Sequence, residues 1–286
     1  LYLDTMNIVE HHYNRTKKFL DITKLDELES FLKINGLNVS AIITEIPTNP
    51  LLQSVDLKRL RELCNKYNIV LVIDATLATP YNLNLKPYAD ILVESLTKFA
   101  CGNADVLMGA IILNENFKIS HMQGEFFKHL DMVYIKDIQR LAYEIKDYKK
   151  RVKKISSNTK KLIHYFENCP YIDKIYHCFS KENEKNYKIA IQDDNSYSGL
   201  ISVTFNKEFK TIYDNLNFAK GPSLGTEFTL LMPYVYLAHY DYISCKKGQE
   251  FLKKINLPID LLRISVGTEN IEDIINEFKR VESLIS

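Results

Sequence analysis

Three continuous apolar runs constrain this chain more than any other feature: "AIITEIP" over 41–47, "IVLVIDA" over 69–75 and "DILVESL" over 90–96. Between the first two lies "DLKRLRELCNKY", in which Leu57, Leu60, Leu63, Cys64 and Tyr67 fall on one face at helical spacing. A fourth run, "DVLMGAIIL", closes the set at 105–113. Apolar runs of strand length alternating with an amphipathic helix predict a largely parallel sheet buried on both sides. A short helix, "DELESFL", is expected ahead of them.

From about Tyr134 to Phe166 no Gly or Pro interrupts the chain, and a long helix is expected there, with the lysines of "YKKRVKKISSNTKK" as a solvated face. Beyond it, "GLISVTF", "FKTIYDNLNFA", "LLRISVG" and "NIEDIINEFKRVESLI" alternate strand and helix in the manner of a smaller α/β domain. The expected division is 1–131 for the large domain, and 132–286 for a connecting helix and the carboxyl-terminal domain.

A length of 286 residues can bury a full core. With 46% hydrophobic residues, 26% charged residues and a formal net charge of +1, nothing global draws the chain to nucleic acid or to an anionic membrane. The five cysteines are scattered, without a CxxC pair or a zinc spacing, which favours reduced thiols in a cytoplasmic protein. No apolar run approaches membrane-spanning length and the first residues are not a signal peptide. Leu1 is not an ordinary translation start, so an amino-terminal part is expected to precede it.

In open parallel sheets, ligands collect beyond the carboxyl ends of the strands. Asn49, Asp74 and Lys98 each follow one of the three runs at that end. Asp74 and Lys98 could form a plain buried ion pair. They also suit pyridoxal phosphate (PLP) chemistry, in which a lysine condenses with the aldehyde and a carboxylate keeps the pyridine nitrogen protonated. Ser95 and Thr97 flank the lysine with hydroxyls that can hold a phosphate.

The stretches "EIPTNPLLQSVDLKRLRELCNKY", "VIDATLATPYNL" and "ADILVESLTKFACGNADVLMG" closely resemble the Cys/Met-metabolism family of PLP enzymes. That family includes cystathionine γ-synthases and γ-lyases, methionine γ-lyases and O-acetylhomoserine sulfhydrylases. "YLDTMNIVE", "KGPSLGTEFTLLMPYVYLAHYD" and "LLRISVGTENIED" extend the resemblance over nearly the whole chain, and look most like the fungal-type cystathionine γ-synthase branch. The resemblance implies an aspartate-aminotransferase-like α/β fold (PLP fold type I), with a large, mostly parallel domain and a smaller carboxyl-terminal one. It implies a homodimer or homotetramer acting on small amino acids.

It also implies site roles. Lys98 is the Schiff-base residue and proton shuttle, Asp74 pairs with the pyridine nitrogen, and Ser95 and Thr97 bind phosphate. Tyr2 stacks on the ring, and Asn49 lies near the ring hydroxyl and the substrate carboxylate. Arg263 clamps that carboxylate, with Ser223 beside it. The implied reaction replaces the acyloxy group of an O-acylhomoserine by cysteine; γ-elimination, sulfide transfer and a catalytically silent assembly module are the alternatives. Taken alone, Asn49 is also a good turn residue, Ser223 a helix cap and Arg263 an edge charge. Two departures stand out: Pro222 replaces an acidic residue common in bacterial relatives, and "GNAD" replaces "GHSD".

Overall fold

The computed structural model describes residues 2–12, 16–115 and 120–285. Its first sheet takes four strands in the order β1 (Ala41–Glu45), β2 (Val70–Asp74), β3 (Ile91–Ser95) and β4 (Gly109–Leu113). The first three are parallel, whereas β4 runs antiparallel to β3. The fourth apolar run therefore departs from the parallel expectation, because the chain turns back directly after the Lys98 loop without a crossover helix. Burial also departs: β4 has no buried residue, and Ile111 and Ile112 are 42% and 48% exposed.

The helix Leu57–Tyr67 begins where the Asp56 carboxylate accepts the Arg59 N–H, an N-cap that satisfies an otherwise orphaned donor. Its buried Leu57, Leu60, Leu63 and Cys64 pack with Leu71 and Ile73 of β2 and with Leu28 and Leu32 of the helix Leu25–Asn35. The Arg61–Asp90 ion pair, at 2.7 Å, fixes that helix to the sheet, and Asp90 also accepts the Leu71 N–H.

The expected long helix is two, Ile135–Glu144 and Tyr148–Phe166, separated by a 3₁₀ turn at Ile145–Asp147. At the break, the Arg151 guanidinium reaches back to the Glu144 carbonyl at 3.1 Å. A second sheet follows, ordered β5 (Ile172–Tyr176), β6 (Leu200–Phe205), β9 (Leu262–Ser265), β8 (Leu230–Pro233) and β7 (Ala219–Lys220). Only β7 and β8 pair in parallel. Ile201, Val203, Leu262 and Ile264 pack there against Leu162 and Phe166 of the long helix and Ile274 and Phe278 of the helix Ile271–Ile285.

A third cluster joins the two sheets. Leu52, Phe99, Ala100, Cys101, Val152, Ile155, Leu200 and Leu224 pack together, so the loop that carries Lys98 is buried on its far side. That packing gives the Lys98 loop a rigid base.

Candidate active site

The parallel pairing puts Glu45, Asp74 and Ser95 at the carboxyl ends of adjacent strands, with Glu45 directly opposite Asp74. From there a circuit, closed by the register pairing of Glu45 with Asp74, runs around the site. Asp74 Oδ1 accepts the Thr76 N–H at 2.9 Å, and the Thr76 hydroxyl accepts the Ser95 N–H at 2.9 Å. The Ser95 carbonyl accepts the Lys98 N–H, and Lys98 Nζ lies 3.2 Å from Ser223 Oγ. Arg263 Nη2 donates to the Pro222 and Ser223 carbonyls at 2.7 Å each, while Nη1 donates to Asn49 Oδ1 at 3.3 Å. Asn49 N–H closes the circuit on Glu45 Oε1 at 2.9 Å.

Six sequence-predicted residues, Asn49, Asp74, Ser95, Lys98, Ser223 and Arg263, thus lie on one circuit. Thr97 sits within it, its hydroxyl accepting the Met108 N–H at 3.3 Å. Tyr2 is not on it: the residue is 58% exposed, and Asp4 is its side-chain partner. The helix Leu3–His12 that follows it has no buried residue.

The Ser223 loop can approach Lys98 because Gly225 has φ +76° and no side chain. A Cβ there would fall 2.6 Å from the Phe99 nitrogen and 3.0 Å from the Lys98 carbonyl carbon. Gly225→Ala is therefore expected to lower unfolding free energy by about 3 kcal/mol, combining left-handed strain with a backbone clash. Urea unfolding of the two proteins measures this; equal midpoints would contradict it.

Charge distribution defines what the site can hold. Lys98 has no carboxylate partner among the described residues, and its amine is pushed below the ordinary lysine range by burial and then by the Arg263 charge. Arg263 is 3% exposed and, among the described residues, donates only to neutral oxygens and keeps a buried Nε without a partner. Burial pushes its guanidinium down to about 10. A buried cation without a counter-ion is costly, so this pair calls for anionic groups. The Asp74 carboxylate forms no ion pair with any described residue, which excludes the plain Asp74–Lys98 pair and leaves an anion free for a cation. Two unpaired cations and one unpaired carboxylate complement a ligand that combines a protonated ring nitrogen with phosphate and carboxylate groups. PLP with an amino acid is such a ligand.

Several supporting residues escaped the sequence reading. Arg151 donates to the Phe99 and Ala100 carbonyls at 3.4 and 2.8 Å and pairs with Glu227 at 3.2 Å, stapling the Lys98 loop to the long helix. Its lysine-rich setting hides it, although Tyr148, Arg151, Val152 and Ile155 follow one helical face, the buried one. Thr76 and Glu45 were likewise missed, and only their closeness in sequence to Asp74 and Asn49 could have pointed to them.

Glu94, buried behind Ser95, accepts a hydrogen bond from the Tyr148 hydroxyl. Burial pushes its carboxyl up to about 7, opposed by that bond and aided by the Asp74 charge. A folded-state pKa above the unfolded 4.5 gives stability that is full below 4.5 and lost as pH rises through about 7. Glu94→Gln keeps an acceptor for Tyr148 and is expected to raise stability at pH 8 by about 2 kcal/mol, with little change at pH 4.5. Denaturant unfolding at both pH values checks this; an equal effect at both would sink it.

Comparison with known proteins identifies the family of the chain. The chain is 33% identical over 282 residues to the L-2-amino-4-chloropent-4-enoate dechlorinase/desaturase of Streptantibioticus cattleyicolor, covering 98% of this chain and 56% of that protein. It is 33% identical to the cystathionine gamma-synthase of Neurospora crassa, covering 98% and 45%. It spans about half the length of the curated relatives it matches. Among solved structures, a cystathionine gamma-lyase from Lactobacillus plantarum superposes with a TM-score of 0.84 at 22% identity, covering 98% of this chain and 72% of that one, and shows the fold to be PLP fold type I. The family model described as Cys/Met metabolism PLP-dependent enzyme matches residues 1–281, and the chain belongs to that family.

Proposed function

We propose that this chain carries the lysine anchor and carboxylate clamp of a trans-sulfuration enzyme of the cystathionine γ-synthase type, which replaces the acyloxy group of an O-acylhomoserine by cysteine. The observation that carries this reading is the buried, uncompensated Arg263 beside a desolvated Lys98. Bound PLP supplies an electron sink for charge that develops on the substrate carbons. Lys98 anchors it and then holds and returns protons at Nζ; its lowered pKa keeps more of the amine neutral near pH 7. Asp74 holds the ring nitrogen protonated, Ser95 and Thr97 bind the phosphate, and Asn49 lies between ring and carboxylate. Arg263 and Ser223 fix the substrate, and Tyr2 stacks on the ring once the whole enzyme is assembled. Apolar exposure supports a homodimer or homotetramer: Leu107, Met132, Ile135 and Tyr143 are 84%, 97%, 60% and 67% exposed. The five cysteines are free thiols, in keeping with a reducing, cytoplasmic setting.

A γ-elimination reading that needs no second amino acid, as in a methionine γ-lyase, is favoured by Pro222. It stands exposed beside Ser223 and offers Arg263 only a carbonyl, so this edge brings no carboxylate for the ammonium group of a second amino acid. Incubation of O-acetyl- or O-succinylhomoserine with cysteine, with sulfide and with no thiol separates the two. Cystathionine as the product with cysteine supports the synthase reading; a 2-oxo acid and ammonia irrespective of thiol overturns it in favour of the lyase.

A further inference from the structure

Arg263 is surrounded by neutral oxygens on its Nη side and by an aromatic face elsewhere. Tyr234 directly follows β8, the strand that pairs with β9 with Met232 opposite Arg263 and Pro233 opposite Leu262. Its ring centroid lies 5.6 Å from the guanidinium carbon, within cation–π range. Tyr234 is 9% exposed, and its backbone N–H donates to the Leu261 carbonyl at 3.0 Å. His239 meets it edge-on at 5.7 Å, and Met232, Leu252 and Leu261 complete its packing, so the face cannot swing away freely.

We propose that Tyr234 is a positioning residue that acts through Arg263: its ring face stabilises the buried cation without occupying any of its N–H donors, which leaves them for the substrate α-carboxylate. The inference rests on the reading of Arg263 as the carboxylate clamp. A carboxylate in place of the ring would neutralise the guanidinium but compete with the substrate for the same donors. Three of the five N–H bonds of an arginine are used here, and Nε–H is among those that remain. Burial and the Glu45 charge, against the Arg263 charge, push the phenol up to about 12. The ring is therefore neutral near pH 7, and the contact is with its π face.

The test compares binding of L-norleucine and of L-norleucinamide, by calorimetric titration into cofactor-loaded protein, for wild type, Tyr234→Phe and Tyr234→Leu. Borohydride labelling of Lys98 reports in parallel that the cofactor is held. Phe keeps the ring and is expected to bind norleucine within about twofold of wild type; Leu is expected to weaken it about tenfold, with the amide and the Lys98 label unchanged. Tyr234→Met, whose unbranched side chain adapts to the space the ring leaves, carries the same expectation if the Leu variant does not fold. Wild-type affinity in the Leu or Met variant overturns the inference alone, as does a Phe variant as weak as the Leu one. A wild type that prefers the amide, or does not distinguish the two, overturns the clamp reading and this inference with it.

Discussion

Lys98→Ala is expected to lower kcat/KM for the proposed O-acylhomoserine substrate by about 10⁴-fold, the upper end of what one acid–base group contributes, because on the proposed reading the same side chain is also the covalent anchor. The fold is expected to persist. Lys98 is partly buried with only the Ser223 hydroxyl as a side-chain partner among the described residues, and removing a desolvated ammonium without a counter-ion there relieves a cost. Lys98→Arg separates charge from chemistry: it keeps a cation beside Ser223 but cannot condense with an aldehyde. Equal loss in both variants, with unfolding midpoints at or above that of the wild type, is the expected pattern. Activity within tenfold of wild type in either variant would remove Lys98 from the chemistry.

The second large effect belongs to Arg263. On the proposed reading, Arg263→Met removes the buried cation that holds the substrate carboxylate, and the loss of charged hydrogen bonds predicts a KM raised about 100-fold with a much smaller change in kcat. The same substitution tests electrostatics within the site. Burial is the first cause of the low Lys98 pKa and the Arg263 charge is the second, so losing the guanidinium should move the Lys98 amine upward. Trapping of PLP on Lys98 as a function of pH should then shift to higher pH in the variant. An unshifted profile with a raised KM would leave the clamp intact but deny the coupling; an unchanged KM would deny the clamp.

The strands and the residues at their ends were legible because apolar runs and the polar residue that ends each of them are local signals. The sequence alone places Asn49, Asp74 and Lys98 at one edge of a sheet. The direction of β4 was not legible, since an apolar run carries no sign of whether its neighbour is parallel. Nor was the pairing of Arg263 with Asn49, 214 positions apart, which depends on how the second sheet docks on the first. β8 was not anticipated as a strand. Its "LLMP" leads into "YVYLAHY", which has no alternation to mark where extended backbone gives way to the helix Tyr234–Ala238. Tyr234 gained its place over Arg263 from that unpredicted junction.

Arg151 shows a different limit. Composition put it on a solvated face with its lysine neighbours, whereas its position on the apolar side of the helix put it in the core. Period outweighs charge when a long side chain finds carbonyls to bond, and here three carbonyls, those of Phe99, Ala100 and Glu144, receive its Nη2.

The central claim is that Lys98 anchors PLP in this chain. Incubation with PLP, borohydride reduction and peptide mass spectrometry test it most directly. The account predicts a pyridoxyl group on Lys98, reduced by competition from an α-amino acid and lost in Lys98→Ala. A label spread over the exposed lysines, or confined to one other than Lys98, would contradict it.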